Sequence, residues 1–231
     1  MKTFLVSITS NVDGVRENYM NTIENLKYSV EQPIMVAFHP YPPQDMGHFK
    51  MFLIDQPYPG NLDRFKFFPK GFEDDDMIIF TDASDVIFQC PIPKLENKIY
   101  ICPENTIHDE HNWFYKQFVY FNFHQLDNLP IYNMGTWAMP YKKVKEMIVF
   151  LEENKNLFPN WQMADQPLFN LWLLKESNKE LHQNLMCCLY DGYNQGIIKK
   201  SSKGFTNPFG QAYSIVHANG NNKELLVKKN L

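Results

Sequence analysis

Two aspartates follow an apolar segment of the chain within Met77–Phe88, which has the sequence MIIFTDASDVIF. Met77–Phe80 is typical of a buried strand, and Asp82 and Asp85 come directly after it. Ligands of open α/β sheets gather at the carboxyl ends of the strands. Carboxylate oxygens are hard ligands that suit Mg²⁺ or Mn²⁺, and such ions commonly also hold a substrate phosphate. The spacing therefore indicates a metal site; the alternative is a solvated turn in which Ser84 or Asp85 caps a helix.

The segments before these aspartates determine what kind of sheet could carry them. Thr3–Ile8 and Ile34–Phe38 are apolar runs typical of buried strands. Apolar side chains at helical spacing lie between them, at Tyr19, Ile23, Leu26 and Val30. This β-α-β opening predicts an α/β fold with a Rossmann-like, mostly parallel central sheet flanked by helices. Neither GxGxxG nor GxxxxGK[ST] follows the first strand, so the dinucleotide and P-loop fingerprints are absent.

Further elements follow the aspartates. Lys98–Cys102 and Tyr213–His217 are predicted strands, Ile131–Pro140 has strand-like flanks, and Tyr141–Glu153 has the spacing of an amphipathic helix. Asp165-Gln166-Pro167 suits the start of another helix, with Asp165 as its cap. We find no internal repeat and no linker composition, and we therefore predict a single domain over residues 1–231.

The composition argues against several classes of protein. The 231 residues carry a net charge of -4, which provides no general positive field for nucleic acid. The four cysteines show no metal-binding spacing, and buried thiols are the simpler interpretation. The apolar run near the N-terminus is too short for a signal peptide or a membrane span. We expect a cytoplasmic protein without membrane insertion, although a fragment of a secreted chain would look the same; the oligomeric state stays open.

Two polar segments admit two interpretations each. Asn61–Gly71 interleaves Arg64, Lys66 and Lys70 with phenylalanines, which is typical either of solvated charges over a core or of contacts with phosphate or sugar. The cluster from His108 to His111 is a polar loop or, less simply, a zinc site without a standard motif.

Four segments in a fixed order resemble the GT-A glycosyltransferases, and more closely the glycosyltransferase domain of procollagen lysyl hydroxylases. They are MIIFTDASDVIF, YNMGTW, DQPLFN and VHANGNNK. Together with the first strand they span most of the chain, and the resemblance implies a GT-A fold. The hydroxylase domains have no counterpart here, so iron and 2-oxoglutarate chemistry is not expected.

The resemblance implies a metal site and a donor site. In that family a divalent ion, usually Mn²⁺, bridges the diphosphate of a UDP-sugar, and the matching ligands here are Asp82, Asp85 and His217. Mg²⁺ is the other candidate ion. The positions that match donor contacts are Thr9 and Ser10 for the nucleoside, Asn133 and Gly135 for the donor sugar, and Gly220 and Lys223 for the diphosphate. Asp82 also belongs to this donor set.

Asp165 and Gln166 match a pair that lies near the sugar and the acceptor in that family, and they are the predicted catalytic residues. The chain differs from the family at two points. Ala83-Ser84 stand where an aromatic residue is frequent, and Met163-Ala164 stand where acids are frequent.

The predicted function is metal-dependent transfer of a hexose, glucose or galactose, from a UDP-sugar to a hydroxyl acceptor, with retention by analogy to the family. The acceptor could be a peptide, a glycan, a small molecule or a modified nucleic-acid base. One alternative is a sugar-nucleotide-binding module with weak or absent turnover. Another is a metal-dependent nucleotidyltransferase, against which the missing glycine-rich phosphate loop argues.

Overall fold

The computed structural model describes residues 1–9, 22–41, 49–83, 85–107, 126, 129–157, 164–180, 185–189, 198–202, 204–218 and 226. Within these residues the chain forms a mixed α/β structure around a seven-stranded sheet. Its strands are β1 (Thr3–Thr9), β2 (Ile34–Phe38), β3 (Lys50–Ile54), β4 (Met77–Asp82), β6 (Ile99–Ile107), β7 (Pro130–Pro140) and β8 (Lys179–Glu180).

The strand order in this sheet is β3-β2-β1-β4-β7-β6-β8. Strands β3, β2, β1 and β4 run parallel to one another, β7 is antiparallel to both β4 and β6, and β8 is parallel to β6. The α/β class with a mostly parallel central sheet is thus confirmed. Strands β1, β2 and β4 are buried along almost their whole length, which is why their sequences are continuous apolar runs rather than alternating ones.

Two helices complete the described core. Helix α1 (Tyr141–Asn154) begins directly after β7 and buries Tyr141, Val144, Met147 and Leu151, the spacing expected of one apolar face. Helix α2 (Asp165–Leu174) is buried at nearly every position. Phe80 of β4 and Trp137 of β7 stack beneath them with ring centroids 5.0 Å apart. No helix in the described residues is long and apolar enough to cross a membrane.

A second, three-stranded sheet carries the C-terminal part of the described chain. It consists of β5 (Val86–Phe88), β9 (Met186–Leu189) and β12 (Ile215–Ala218), with β12 in the middle. Strand β12 is antiparallel to β5 and parallel to β9. A short hairpin of β10 (Lys199–Ser201) and β11 (Gly204–Thr206) lies between β9 and β12 in sequence. Because only three residues separate the end of β4 from the start of β5, this sheet is joined directly to the central one.

The structure decides several local alternatives. Asp85 precedes a strand rather than a helix, so the helix-cap alternative is wrong for this residue. Asn133–Gly135 lies inside the continuous strand β7, in the segment predicted to have strand-like flanks. Helix α2 has Ala164, which has no side-chain cap hydrogen bond, at its N-cap and Asp165 as its first residue. Residues 23–26 form a short 3-10 helix, whereas the start of the helix predicted there, like the 108–111 cluster, falls outside the described residues.

The cysteines behave as expected from composition. None of the four, all of which lie in described segments, forms a disulfide, and three of them are buried. Burial raises the pKa of the Cys187 and Cys102 thiols above their usual value. These side chains therefore act as core residues.

Candidate metal centre

The connection between the two sheets brings together residues far apart in sequence. Asp82 is the last residue of β4, and Asp85 immediately precedes β5. Strand β12 places His217 opposite Val86 of β5. The Ala218 N–H donates to the Asp85 carbonyl oxygen at 2.8 Å, which ties the backbone next to His217 to that of Asp85. Pairing of β5 with β12 thus carries the histidine to the aspartates.

The side chains of Asp82, Asp85 and His217 converge. One ligand atom from each lies within 4.8 Å of the others. His217 Nε2 lies 3.3 Å from Asp85 Oδ1 and 3.9 Å from Asp82 Oδ2. Asp85 and His217 are buried, whereas the Asp82 side chain is 26% exposed. The cluster is therefore closed behind the histidine and open on the Asp82 side.

The hydrogen bonds of His217 determine which ring nitrogen faces the aspartates. Nδ1 lies 2.9 Å from Asn133 Oδ1 and 3.1 Å from Thr136 Oγ1. The Thr136 hydroxyl donates to the Gly135 carbonyl oxygen, so its oxygen accepts from the Nδ1–H of the ring. Nε2 is buried and makes no hydrogen bond within the described residues. When deprotonated, it presents a lone pair to the space between the carboxylates, as a metal-ligating imidazole does.

Gly135 leaves the space that this cluster needs. A Cβ atom at this position would lie 2.3 Å from Asp82 Oδ2 and 2.6 Å from His217 Cε1. Both distances are far shorter than van der Waals contact, so only glycine fits. The absent side chain, the Nε2 atom directed at both aspartates and the mixed oxygen and nitrogen donors together fit a divalent ion.

In the metal-free protein the aspartates hold a proton on His217. Burial lowers the pKa of His217, but Asp85 and Asp82 outweigh it and raise the pKa to about 10. A bound metal must displace that proton from Nε2. We therefore expect Mn²⁺ affinity to increase by about tenfold per pH unit between about pH 7 and pH 9. Calorimetric titration at several pH values checks this, and a pH-independent affinity would contradict it.

Arg64 is a functional candidate for which the sequence admits two interpretations. It lies in a 3-10 helix, Asp63–Phe67, and is buried. Its Nη1 donates to Asp82 Oδ1 at 2.7 Å, and Nη2 lies 3.5 Å from Asp165 Oδ2. The guanidinium carbon also lies 5.1 and 5.2 Å from the ring centroids of Phe65 and Phe80. The solvated-charge interpretation is therefore wrong for Arg64, and the interleaving of Arg with Phe was the signal that could have identified it.

Replacing Arg64 with methionine should destabilise the fold strongly, because it leaves the Asp82 and Asp165 carboxylates without their shared cation. Breaking a buried ion pair in this way costs about 3–5 kcal/mol in the free energy of unfolding. The matched control is Lys66→Met, since Lys66 pairs with Asp63 but is 44% exposed; it should cost no more than about 1 kcal/mol. Urea unfolding measures both, and equal losses would contradict the role assigned to Arg64.

Asp165 and Gln166 lie in the first turn of α2, where Asp165 is buried beside Arg64. Burial raises the pKa of Asp165 to about 6, against the opposing effect of Arg64. Gln166 Nε2 donates to Glu104 Oε1 at 3.0 Å, and its Oε1 accepts from the Met134 N–H at 3.2 Å. Asp165 thus forms an ion pair with Arg64, and Gln166 is hydrogen-bonded to residues of β6 and β7.

The structure places the remaining predicted residues as follows. Thr9 ends β1 and is buried, one position after Ile8, which pairs with Asp82. Asn133 is buried and lies behind His217 rather than on an open surface. Ser10, Gly220 and Lys223 lie outside the described residues. The described members of the predicted metal and catalytic sets therefore meet at one end of β4.

No protein-family model matches this chain, and no curated protein matches it.

Proposed function

We propose that this chain is a divalent-metal-dependent glycosyltransferase of GT-A type, which transfers a hexose from a UDP-sugar to a hydroxyl acceptor. The observation that carries the proposal is the convergence of Asp82, Asp85 and His217 Nε2 beside Gly135. Two carboxylates and an imidazole favour Mn²⁺, with Mg²⁺ as the weaker candidate. An ion held by these three residues would also be able to bind phosphate oxygens.

The position of the cluster in the sheet supports a substrate-binding role. Asp82 ends β4 and Thr9 ends the neighbouring parallel strand β1. The carboxyl ends of parallel strands are where open α/β sheets bind nucleotides. In addition, residues from all four segments that resemble GT-A enzymes meet here: Asp82, Gly135, Asp165 and His217.

Charge at the centre suits a diphosphate leaving group. A bound ion would supply positive charge to the phosphate oxygens as the bond to the sugar breaks. Asp82, Asp85 and His217 would hold that ion. Arg64 adds a permanent cation on the Asp82 side, and its two carboxylate partners and two phenylalanine rings keep it in place.

Asp165 is the residue suited to a hydroxyl group. Since its pKa is about 6, its carboxylate is largely ionised at neutral pH and can accept a hydrogen bond or a proton from a sugar or acceptor hydroxyl. Arg64 Nη2 orients the carboxylate from one side. Asp165 therefore positions the hydroxyl, and the ion site faces the diphosphate.

A donor screen tests this function. UDP- and GDP-hexoses are incubated with the protein in Mn²⁺, in Mg²⁺ and in EDTA, and both the melting temperature and the released nucleotide are measured. We expect a UDP-hexose to raise the melting temperature only in the presence of the metal, because the metal would hold its diphosphate. A ligand at a hundredfold excess over its dissociation constant adds about 2.7 kcal/mol to the free energy of unfolding. We also expect metal-dependent release of UDP.

Each outcome of the screen has a distinct meaning. Binding without nucleotide release, also in the presence of a broad acceptor panel, would favour the sugar-nucleotide-binding module. If no nucleotide sugar changed the melting temperature with either metal, the proposed function would be wrong.

A further inference from the structure

Glu104 is a buried carboxylate directly behind the candidate metal centre. It lies on β6, is 2% exposed, and was not identified from the sequence. Its Oε1 accepts hydrogen bonds from Asn133 Nδ2 at 2.8 Å and from Gln166 Nε2 at 3.0 Å. A charged group is rarely this buried unless it has partners that require it. Glu104 therefore connects two residues that the sequence analysis had assigned to the site.

The contact with Asn133 determines how that amide is oriented. The amide nitrogen of Asn133 donates to Glu104 Oε1 and therefore faces Glu104. The amide oxygen then faces His217 and can only accept. As a result, Nδ1 of His217 carries the hydrogen and Nε2 is directed at Asp82 and Asp85. Glu104 thus sets the orientation of the His217 ring through one intervening residue, Asn133.

We propose that Glu104 is the positioning residue of this centre, acting through Asn133 to fix the ring of His217 and through Gln166 to hold the first turn of α2. Outer hydrogen-bond partners of this kind fix the orientation of metal-ligating histidines in proteins. Gln166 also accepts the Met134 N–H, so α2, which begins with Asp165, is joined to β6 and β7 at this point. One carboxylate therefore aligns both the metal ligand and the Asp165 side of the site.

The effect on metal affinity rests on the proposed function and is measured by Mn²⁺ titration with electron paramagnetic resonance. Glu104→Leu removes the acceptor for both amides and should weaken Mn²⁺ binding by about 10–100-fold. Glu104→Gln keeps an oxygen that can accept both hydrogen bonds and should recover affinity to within about fivefold of wild type. Asn133→Ala removes the middle residue of the hydrogen-bonded series Glu104–Asn133–His217 and should weaken Mn²⁺ binding as much as Glu104→Leu does.

A matched control separates positioning from general loss of stability. Asp76 is also a buried carboxylate with two N–H partners, the backbone amides of Lys2 and Glu73, but it precedes β4 and lies at the opposite end from Asp82. Asp76→Asn should lower the melting temperature and leave Mn²⁺ affinity unchanged. If Asp76→Asn and Glu104→Leu weakened Mn²⁺ binding equally, the positioning role would be overturned.

A double-mutant cycle tests whether Glu104 acts through Asn133. If it does, Glu104→Leu combined with Asn133→Ala should bind Mn²⁺ no more weakly than the poorer single variant, within about threefold. Fully additive losses of Mn²⁺ affinity would show that Glu104 does not act through Asn133. Nitrogen hyperfine coupling from a histidine bound to Mn²⁺ gives a second readout: Glu104→Leu should reduce it and Glu104→Gln should retain it.

Metal-free crystal structures of wild type and Glu104→Leu distinguish failure of this inference from failure of the proposed function. In the variant, the His217 ring should rotate away from Asn133 Oδ1. An unmoved ring overturns the positioning role even if wild type binds Mn²⁺. A rotated ring in a protein whose wild type binds no Mn²⁺ supports the positioning role and rejects the metal-dependent function.

Discussion

Replacing Asp85 with alanine should abolish metal-dependent hydrolysis of the donor while leaving the fold intact. The carboxylate is one of three donors in the cluster, and its Oδ1 lies 3.3 Å from His217 Nε2. A bound metal contributes several kcal/mol of charge stabilisation, so its loss corresponds to a rate decrease on the order of a thousandfold. The backbone hydrogen bond between the Asp85 carbonyl and Ala218 does not involve the side chain, so β5 and β12 should stay paired.

The measurement is release of UDP at saturating Mn²⁺, together with circular dichroism and the melting temperature. Asp63→Ala serves as a control for removing an acidic side chain near the site, because Asp63 is bonded to Lys66 and is not part of the cluster. It should retain metal-dependent turnover. Unchanged Mn²⁺-dependent turnover in Asp85→Ala would show that the metal assignment is wrong.

Gly135→Ala should eliminate Mn²⁺ binding by filling the site. The added methyl group would lie 2.3 Å from Asp82 Oδ2 and 2.6 Å from His217 Cε1, so at least one ligand must move. Gly135 lies within β7, where an alanine would ordinarily be accommodated, and the expected defect is therefore steric rather than conformational. We expect loss of affinity by at least about a hundredfold, similar to loss of a metal ligand or its immediate support.

Gly71→Ala is the matched control for this substitution. Gly71 has a φ of 99° and no neighbour within 4 Å of an added Cβ, so alanine there strains the backbone but fills nothing. Replacing it should lower stability by about 1 kcal/mol and leave Mn²⁺ affinity unchanged. A Gly135→Ala protein that binds Mn²⁺ like wild type would mean that the ion, if bound, does not lie between Asp82 and His217.

Much of the sheet could be predicted from local sequence, because buried parallel strands are continuous apolar runs. Ile34–Phe38 matches β2 at both ends, and helix α1 begins at the predicted Tyr141. The start of α2 shows the limit of such reasoning. Asp165 resembles a helix cap in sequence, but the N-cap is Ala164, and the Asp165 carboxylate also pairs with Arg64, a partner 101 residues earlier in the chain. No local signal predicts that long-range ion pair.

The site was predictable only in part, for a physical reason. Asp82, Asp85 and His217 were predicted as ligands because their residue types suit a metal and the surrounding motifs resemble one family, and the structure brings the three together. Glu104 was not identified, since nothing in its neighbouring sequence predicts that a charged residue will be buried, and the interleaving of Arg64 with phenylalanines admitted two interpretations. Their roles depend on which strands are adjacent: Glu104 reaches Asn133 because β6 pairs with β7. Such contacts become visible only with the strand order.

The proposed function requires above all that Mn²⁺ binds between Asp82, Asp85 and His217. Pulsed electron paramagnetic resonance of the Mn²⁺-loaded protein measures the coupling between the ion and a directly bound imidazole nitrogen. We predict saturable binding of about one ion per chain, with a nitrogen coupling that disappears in His217→Gln. Non-saturable binding, or the same spectrum in wild type and His217→Gln, would contradict the proposed centre.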